Sequence, residues 1–364
     1  MKFNIRVPTP DDDLDSMHSF DFTKMSAVNT CPTWGITRYG HHKVFGNASR
    51  AMALEAGSAC HDVFAAGRLF DLFEYGHSIY GADKDIHTIV TQRAAKLFGE
   101  DRATVLLDEF RSGEDERTRL LRGGLGILES SGFYDDPSDR RRTLSNLEEA
   151  CIVYLDRYEY GKNIPYINGD FVGVENAINL VVEYSFLSDA GEHVERVIRL
   201  TGRIDGVHCH RNDTSAPYIE ENKTASRLGD AWEQSFEMSH QVTGYAAAAS
   251  TMVGIPITMA RIRGLCIPQP RSSLYDSAGL STVTVFRKAH QFEEWAKWVM
   301  HTVEMYLKWI KDPTNAPKYT HSCNRYFRPC SYIPLCAASP DERLEIYNEM
   351  QEDEWSPLHE KSGD

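Results

Sequence analysis

The chain has 364 residues, 41% of them hydrophobic and 25% charged, enough to bury one large core or two modest ones and too apolar for disorder throughout. A formal net charge of −14 argues against broad coating of nucleic acid, which needs a positive surface, yet leaves room for a basic groove around an acidic metal-dependent site. Eight cysteines, with no apolar leader after Met1-Lys2-Phe3-Asn4-Ile5-Arg6, argue against a disulfide framework and for a cytoplasmic setting, or the nucleoid or host cytoplasm for a viral chain.

In chain order, Met1–Ser16 carries the run Asp11-Asp12-Asp13 without apolar periodicity and reads as part of a solvated tail over 1–25. Residues 26–74 hold Cys31 and a first amphipathic helix, from about Asn47 to Leu72. A helical insertion over 75–150 follows, from Ile86 towards Cys151, broken at Gly113, Gly123-Gly124 and Gly132. The main core is expected over 151–315. Glu175–Leu187 and His193–His208 are rich in Val, Ile and Leu and flank a Ser188-Asp189-Ala190-Gly191-Glu192 turn, which predicts a hairpin. Pro217–Lys223 reads as a third strand. A helix over Asp230–Met252, strands over Ile257–Ile267 and Ser281–Arg287, and a Trp-bearing helix over Gln291–Ile310 complete it. The apolar run Tyr245–Ala260 is too short, and too broken by Gly254 and Pro256, to span a membrane. Residues 316–340 form a cysteine-rich segment, and 341–364 an acidic tail solvated beyond Tyr347. The expected class is α/β, a mixed sheet flanked by helices.

The most informative residues are Asp205, Glu221 and Lys223. Glu221 and Lys223 are two apart on a predicted strand and leave the same face, while Glu220 leaves the other. Asp205, near the end of the preceding strand, reaches that face if the two strands pair. Two hard oxygen ligands beside an ammonium group suit phosphodiester hydrolysis with Mg²⁺ or Mn²⁺. An isolated E-x-K is usually a solvated ion pair, so the neighbours matter: Gly57-Ser58-Ala59-Cys60-His61 on the early helix, and Gln241 and Tyr245, four apart on one face of the later one.

Cys323, Cys330 and Cys336 cluster near the end, and Cys31 stands near the start. Four thiolates suit a [4Fe–4S] cluster or Zn²⁺. Cys60 is the rival fourth ligand, while Cys151, Cys209 and Cys266 read as core residues. His208-Cys209-His210 looks like a metal site, but alternate strand residues diverge from the middle one. Trp295, Trp298 and Trp309 read as core packing more than as a stacking platform. Arg111, Arg117, Arg119, Arg122 and Arg140-Arg141-Arg142 read either as a phosphate-binding surface or as a solvated face.

Taken in order, G-x-x-x-H (Gly57–His61), G-x-x-D-G (Gly202–Gly206), E-x-K (Glu221–Lys223) and Q-x-x-x-Y (Gln241–Tyr245) make the chain resemble the PD-(D/E)XK nuclease superfamily, in its RecB-like exonuclease branch. The resemblance covers roughly residues 26 to 336. It implies a restriction-endonuclease-like core, with Asp205, Glu221, His61 and the Asn222 carbonyl at a Mg²⁺ or Mn²⁺ ion, Lys223 as catalytic lysine, and Gln241 and Tyr245 completing the site towards DNA. The cysteine set is similar to that of the iron–sulfur members, CRISPR-adaptation nucleases among them. It implies that Cys31, Cys323, Cys330 and Cys336 hold a structural [4Fe–4S] cluster, although the six residues between Cys323 and Cys330 exceed the spacing in many relatives. The expectation is a DNA exonuclease or end-processing enzyme of recombination, repair or phage DNA metabolism. No G-x-x-x-x-G-K-[ST] occurs, so any helicase partner is a separate protein. The alternative is a DNA-end-binding or structural iron–sulfur protein on the same scaffold, without turnover.

Overall fold

In the computed structural model, which describes residues 2–45, 52–157, 159–267, 279–325 and 328–353, the chain opens with β1 (Lys2–Arg6) and β2 (Ser19–Phe20). Then come α1 (Phe22–Thr30), α2 (Pro32–Tyr39), β3 (Lys43–Val44) and five longer helices, α3 (Met52–Tyr80), α4 (Ile86–Phe98), α5 (Glu100–Arg111), α6 (Glu116–Glu129) and α7 (Leu144–Arg157). The strands β4 (Asn163–Pro165), β5 (Ile167–Asn168), β6 (Phe171–Val172), β7 (Val174–Leu187), β8 (His193–His210) and β9 (Asp213–Ala225) follow. Next are α8 (Asp230–Gln234), α9 (His240–Val253), β10 (Met259–Cys266), β11 (Leu280–Phe286) and α10 (Ala289–Trp309). The described chain ends with β12 (Asn324–Arg325), β13 (Arg328–Pro329), α11 (Ile333–Ala337), α12 (Pro340–Glu349) and β14 (Gln351–Glu352).

The class is α/β. A mixed sheet runs in the order β1-β7-β8-β9-β10-β11, with β9 and β10 parallel and the pairs β1–β7, β8–β9 and β10–β11 antiparallel. Among the described residues no helix is long and apolar enough to cross a membrane. The described residues divide into two compact units, one built from 2–45, 178–202 and 289–353, the other from 52–177 and 203–288.

In the first unit the opening residues are not the solvated tail expected. β1 pairs with β7 from Lys2↔Ser185 to Arg6↔Val181, and Phe3 stacks on Tyr184 and meets Trp295 edge-on. Arg6 grips Asp12 through two hydrogen bonds of 2.6 and 2.7 Å and Glu183 through a third of 2.8 Å. A strand with two apolar residues, paired to a partner far along the chain, carries too little local periodicity to be seen in the sequence. Asp21 caps α1 by accepting from the Thr23 and Lys24 backbone amides. A Cβ on Gly35 would come within 2.3 Å of the Val28 backbone, so the close α1–α2 crossing needs glycine there. On α10, Trp295, Val299, Val303 and Tyr306 form the buried stripe; Trp295 is 2% exposed, as core packing requires. The closing stretch also departs from expectation. Gln351 and Glu352 pair with β3, and Arg38 holds Asp353 at 2.6 Å; residues 354–364 lie outside the described residues.

In the second unit, α3 and the helices α4 to α7 enclose a core that includes Val63, Phe64, Leu69, Phe70, Leu106, Phe110 and Leu155. α3 runs on to Tyr80, beyond the expected Leu72. Gly76 inside it makes room for Ile86, whose Cγ2 would lie 2.8 Å from an added Cβ. The single helix expected over Asp230–Met252 is two, because Ser239 starts α9 afresh with its hydroxyl accepting from the Val242 amide.

Candidate metal centres

In the second unit, β9 pairs with β10 along Ile219–Ala225, but its pairing with β8 stops at Gly206↔Glu220. Asp205 is the next residue of β8 beyond that last pair, where the amide of Asn222 is left without a β8 partner. Its Oδ2 accepts from that amide at 2.7 Å. His61, on α3, brings Nδ1 to 3.3 Å from Asp205 Oδ1. One turn earlier, a Cβ on Gly57 would lie 3.3 Å from Thr224 Oγ1, so α3 passes close to β9 there. Lys223 donates to Glu221 Oε1 at 2.6 Å, as expected of two side chains on one strand face. The Asn222 side chain accepts from Tyr154 at 3.0 Å, which anchors the strand between the two. Glu220 leaves the other face, where Arg263 Nε lies 2.9 Å from its Oε1 and Arg261 and His208 stand near 4 Å from its Oε2. On α9, which packs on β9 and β10, Gln241 donates to the Tyr245 hydroxyl at 3.0 Å.

One member of this centre is absent from the sequence motifs. Glu175 joins His61 and Asp205 in a group whose ligand atoms all lie within 4.8 Å of one another. It opens β7 in a left-handed conformation, φ 49°, and its carboxylate takes a hydrogen bond from Arg68 at 3.1 Å. A carboxylate at the start of a strand is common, and a positive φ at a non-glycine residue leaves no mark in the sequence.

The electrostatics follow from burial among like charges. Burial raises Glu221 first, Asp205 raises it further, and Lys223 only partly offsets them, leaving its carboxyl pushed up to about 7. Glu175 rises likewise, from burial and then Asp205, against the pull of Arg68 and His61. Burial opposes the charge on Asp205, but His61, Arg68 and Lys223 outweigh it and hold that carboxyl well below the usual range. Burial also lowers His61, yet Asp205 overrides it and pushes the imidazole up to about 9. Glu221 Oε2, in a side chain 3% exposed, has no hydrogen-bond partner among the described residues. The His61 imidazole and the Glu175 and Asp205 carboxylates fit a hard divalent cation, and Glu221, which lies outside that close group, adds an orphaned buried oxygen within electrostatic reach of Asp205.

In the first unit, Cys31 sits at the junction of α1 and α2, its amide donating to Ala27 and its carbonyl accepting from Gly35. Thr33 donates through its amide and its hydroxyl to the carbonyls of Pro317 and Ala316, which ties the start of α2 to the chain just before the terminal cysteines. The Cys330 amide donates to the Cys323 carbonyl at 2.8 Å, and the Cys336 amide to Tyr332 at 3.0 Å. All four thiols are free. Burial first, with Cys31, Cys330 and Cys323 close enough to add to it, pushes Cys336 up to about 11. Cys330 is raised by burial and then by Cys31 and Cys323. A set of four neighbouring thiols fits a soft metal or an iron–sulfur cluster. Cys60 belongs to the other unit, buried with its sulfur 3.9 Å from that of Cys151. His208 and Cys209 are both buried and His210 is exposed, and the β8–β9 register shifts between His208 and His210, so the burial does not follow simple strand alternation there.

Five of the seven arginines read as a phosphate surface are paired within the chain. Arg117 pairs with Asp156 at 2.8 Å, Arg119 with Glu74 at 2.6 Å and Arg142 with Asp139 at 2.5 Å. Arg122 and Arg111 lie 3.6 and 3.7 Å from Glu114 and Asp108. No protein-family model matches this chain, and no curated protein matches it.

Proposed function

We propose that this chain is a Mg²⁺- or Mn²⁺-dependent deoxyribonuclease on a PD-(D/E)XK-type core, whose four thiols hold a structural [4Fe–4S] cluster. The observation that carries the reading is that Asp205, in contact with His61, accepts from the Asn222 amide between Glu221 and Lys223, where β8 and β9 cease to pair. A divalent cation supplies the Lewis-acid chemistry, polarising a phosphoryl oxygen and making a water nucleophilic near neutral pH. Asp205 is ionised at any working pH and needs no proton loss to serve as a ligand. Glu221 gives Oε1 to Lys223 and keeps Oε2 for the cation. The Asn222 carbonyl would be the neighbouring backbone ligand. Lys223, held by Glu221, orients the attacking water and offsets the charge that grows on the phosphate. His61 would hold the cation as a neutral imidazole, so binding would require it to give up the proton that Asp205 favours. Gln241 and Tyr245 form a polar pair on α9 that completes the DNA side of the centre.

The substrate is DNA, as ends or single strands, in recombination, repair or phage DNA metabolism, and any helicase acts as a separate partner. The test is an anaerobic preparation assayed on 5′- and 3′-labelled linear and circular DNA with Mg²⁺, Mn²⁺ or a chelator. Cation-dependent cleavage by the wild type, with most activity lost in both Lys223→Ala and Lys223→Arg, is expected, since a planar fork does not place charge as a compact ammonium does. DNA binding without turnover under every cation would leave only an end-binding protein.

A further inference from the structure

Around Glu175 the helical insertion does specific work. Arg93, on α4, donates through Nε to the Val174 carbonyl at 2.8 Å and through its terminal nitrogen to the carbonyls of Val174 and of Glu175, the latter at 2.9 Å. The same nitrogen lies 3.3 Å from Asn176 Oδ1, and Asn176 donates to the Val172 carbonyl at 2.7 Å. Backbone on both sides of residue 175 is thereby clamped, and the left-handed turn sends the carboxylate to His61 and Asp205. Arg68, fully buried on α3, holds Glu175 Oε1 from the other side. None of these residues belongs to the four motifs. The gathering makes little sense without a ligand: Glu175, Asp205 and His61 bring their ligand atoms within 4.8 Å of one another beside the buried guanidinium of Arg68, and Glu221, within electrostatic reach of Asp205, has an Oε2 with no hydrogen-bond partner among the described residues.

We infer that Glu175 is itself a ligand for a divalent cation of the Mg²⁺ and Mn²⁺ class, which it binds with His61 and Asp205, and that the Arg93 clamp delivers it. This rests on the metal-dependent reading above and adds a ligand that the E-x-K and G-x-x-D-G motifs do not contain. The helical insertion thus has a role in building the centre, because the helix that locks the turn lies within it.

The experiment is Mn²⁺ titration of the full chain, following the free-ion electron paramagnetic resonance signal, for the wild type and Glu175→Gln. The amide keeps the volume and the oxygen that Arg68 needs, and removes the charge. Mn²⁺ affinity is expected to fall by about tenfold or more, as losses around metal ligands do. Far-UV circular dichroism checks the fold, and if Glu175→Gln is unfolded, Glu175→Asp carries the test, keeping the charge but shortening the reach, with the same expected direction. Wild-type Mn²⁺ affinity in the folded variant overturns the inference. The outcome is separable from the nuclease reading. A wild type that cuts DNA beside a Glu175→Gln protein with unchanged Mn²⁺ affinity sinks Glu175 alone. A wild type that binds Mn²⁺, loses it in Glu175→Gln and never cuts DNA sinks the nuclease reading and supports the ligand.

Discussion

The two candidate centres prepare for a metal in opposite ways. The carboxylate centre of the second unit is charged and crowded in the absence of a cation: Asp205 is held ionised, Glu175 and Glu221 resist ionisation, and His61 is kept cationic by Asp205. In the thiol centre of the first unit, burial and neighbouring sulfurs raise Cys330 and Cys336, so these two keep their protons. A hard cation therefore relieves strain that the fold already bears, whereas a soft metal or cluster must first displace protons from its ligands. The first arrangement suits an ion that exchanges with solvent, the second a group inserted once and kept.

The largest expected effect separates the centres outright. Asp205→Ala and Glu221→Ala should each lower kcat/KM on linear DNA by about a thousandfold or more, with circular dichroism unchanged, because each removes a ligand worth several kcal/mol in the transition state. Full activity of both with Mn²⁺ present ends the assignment.

Next in size is the thiol centre. Replacing Cys31, Cys323, Cys330 or Cys336 by Ser should remove the broad absorbance near ~400 nm of anaerobic protein. Melting temperature and solubility should drop, while cleavage by the surviving folded fraction stays within about threefold of wild type. The comparison breaks if any of the four abolishes cleavage as Asp205→Ala does. A colourless wild type with one bound Zn²⁺ would keep the ligands and replace the cluster. Cys31→Ser with full metal content would remove Cys31 from the set. The segment holding Cys31 should persist without the cluster, since Met25, Val28 and Ile36 are fully buried there.

A smaller effect sharpens the electrostatic contrast. Glu175 and Glu221 are raised from the ordinary 4.5 to about 7 and His61 from 6.5 to about 9, so these three groups hold more protons folded than unfolded between about pH 4.5 and 9; the buried His208, lowered by burial to about 3, opposes them below 6.5. Stability then falls as pH rises through that window. Metal-free protein should lose on the order of 5 °C of melting temperature between pH 5 and 8, and Mn²⁺ should flatten the slope. The same slope in the Glu175→Gln, Glu221→Gln double variant would show that other groups cause it. The smallest effects belong to Gln241→Ala and Tyr245→Phe, which break a hydrogen bond on α9 without removing a ligand. Their kcat/KM should fall by about tenfold, and a loss equal to that of Asp205→Ala would promote them to the centre's essential members.

What the sequence by itself determined was local and periodic. Alternation along β9 puts Glu221 and Lys223 on one face and Glu220 on the other. The turn at Ser188–Glu192, with Gly191 at φ 78°, makes the β7–β8 hairpin, and the stripe on α10 makes Trp295 a core residue. Four thiols near the two ends were visible as a set, though not their proximity. Tertiary structure decided whatever depends on partners distant in sequence. It paired β1 with β7 and so ordered a stretch that looked like a tail, placed Cys60 beside Cys151 instead of the other thiols, and stopped β8 from pairing with β9 beyond Gly206, at the edge of Asp205. It also brought Glu175 to the centre through a left-handed turn clamped by Arg93 and a side chain held by Arg68. The physical reason is that periodicity reports which face a residue leaves, while the neighbours on that face are fixed by long-range pairing and burial, for which short stretches of sequence carry no signal.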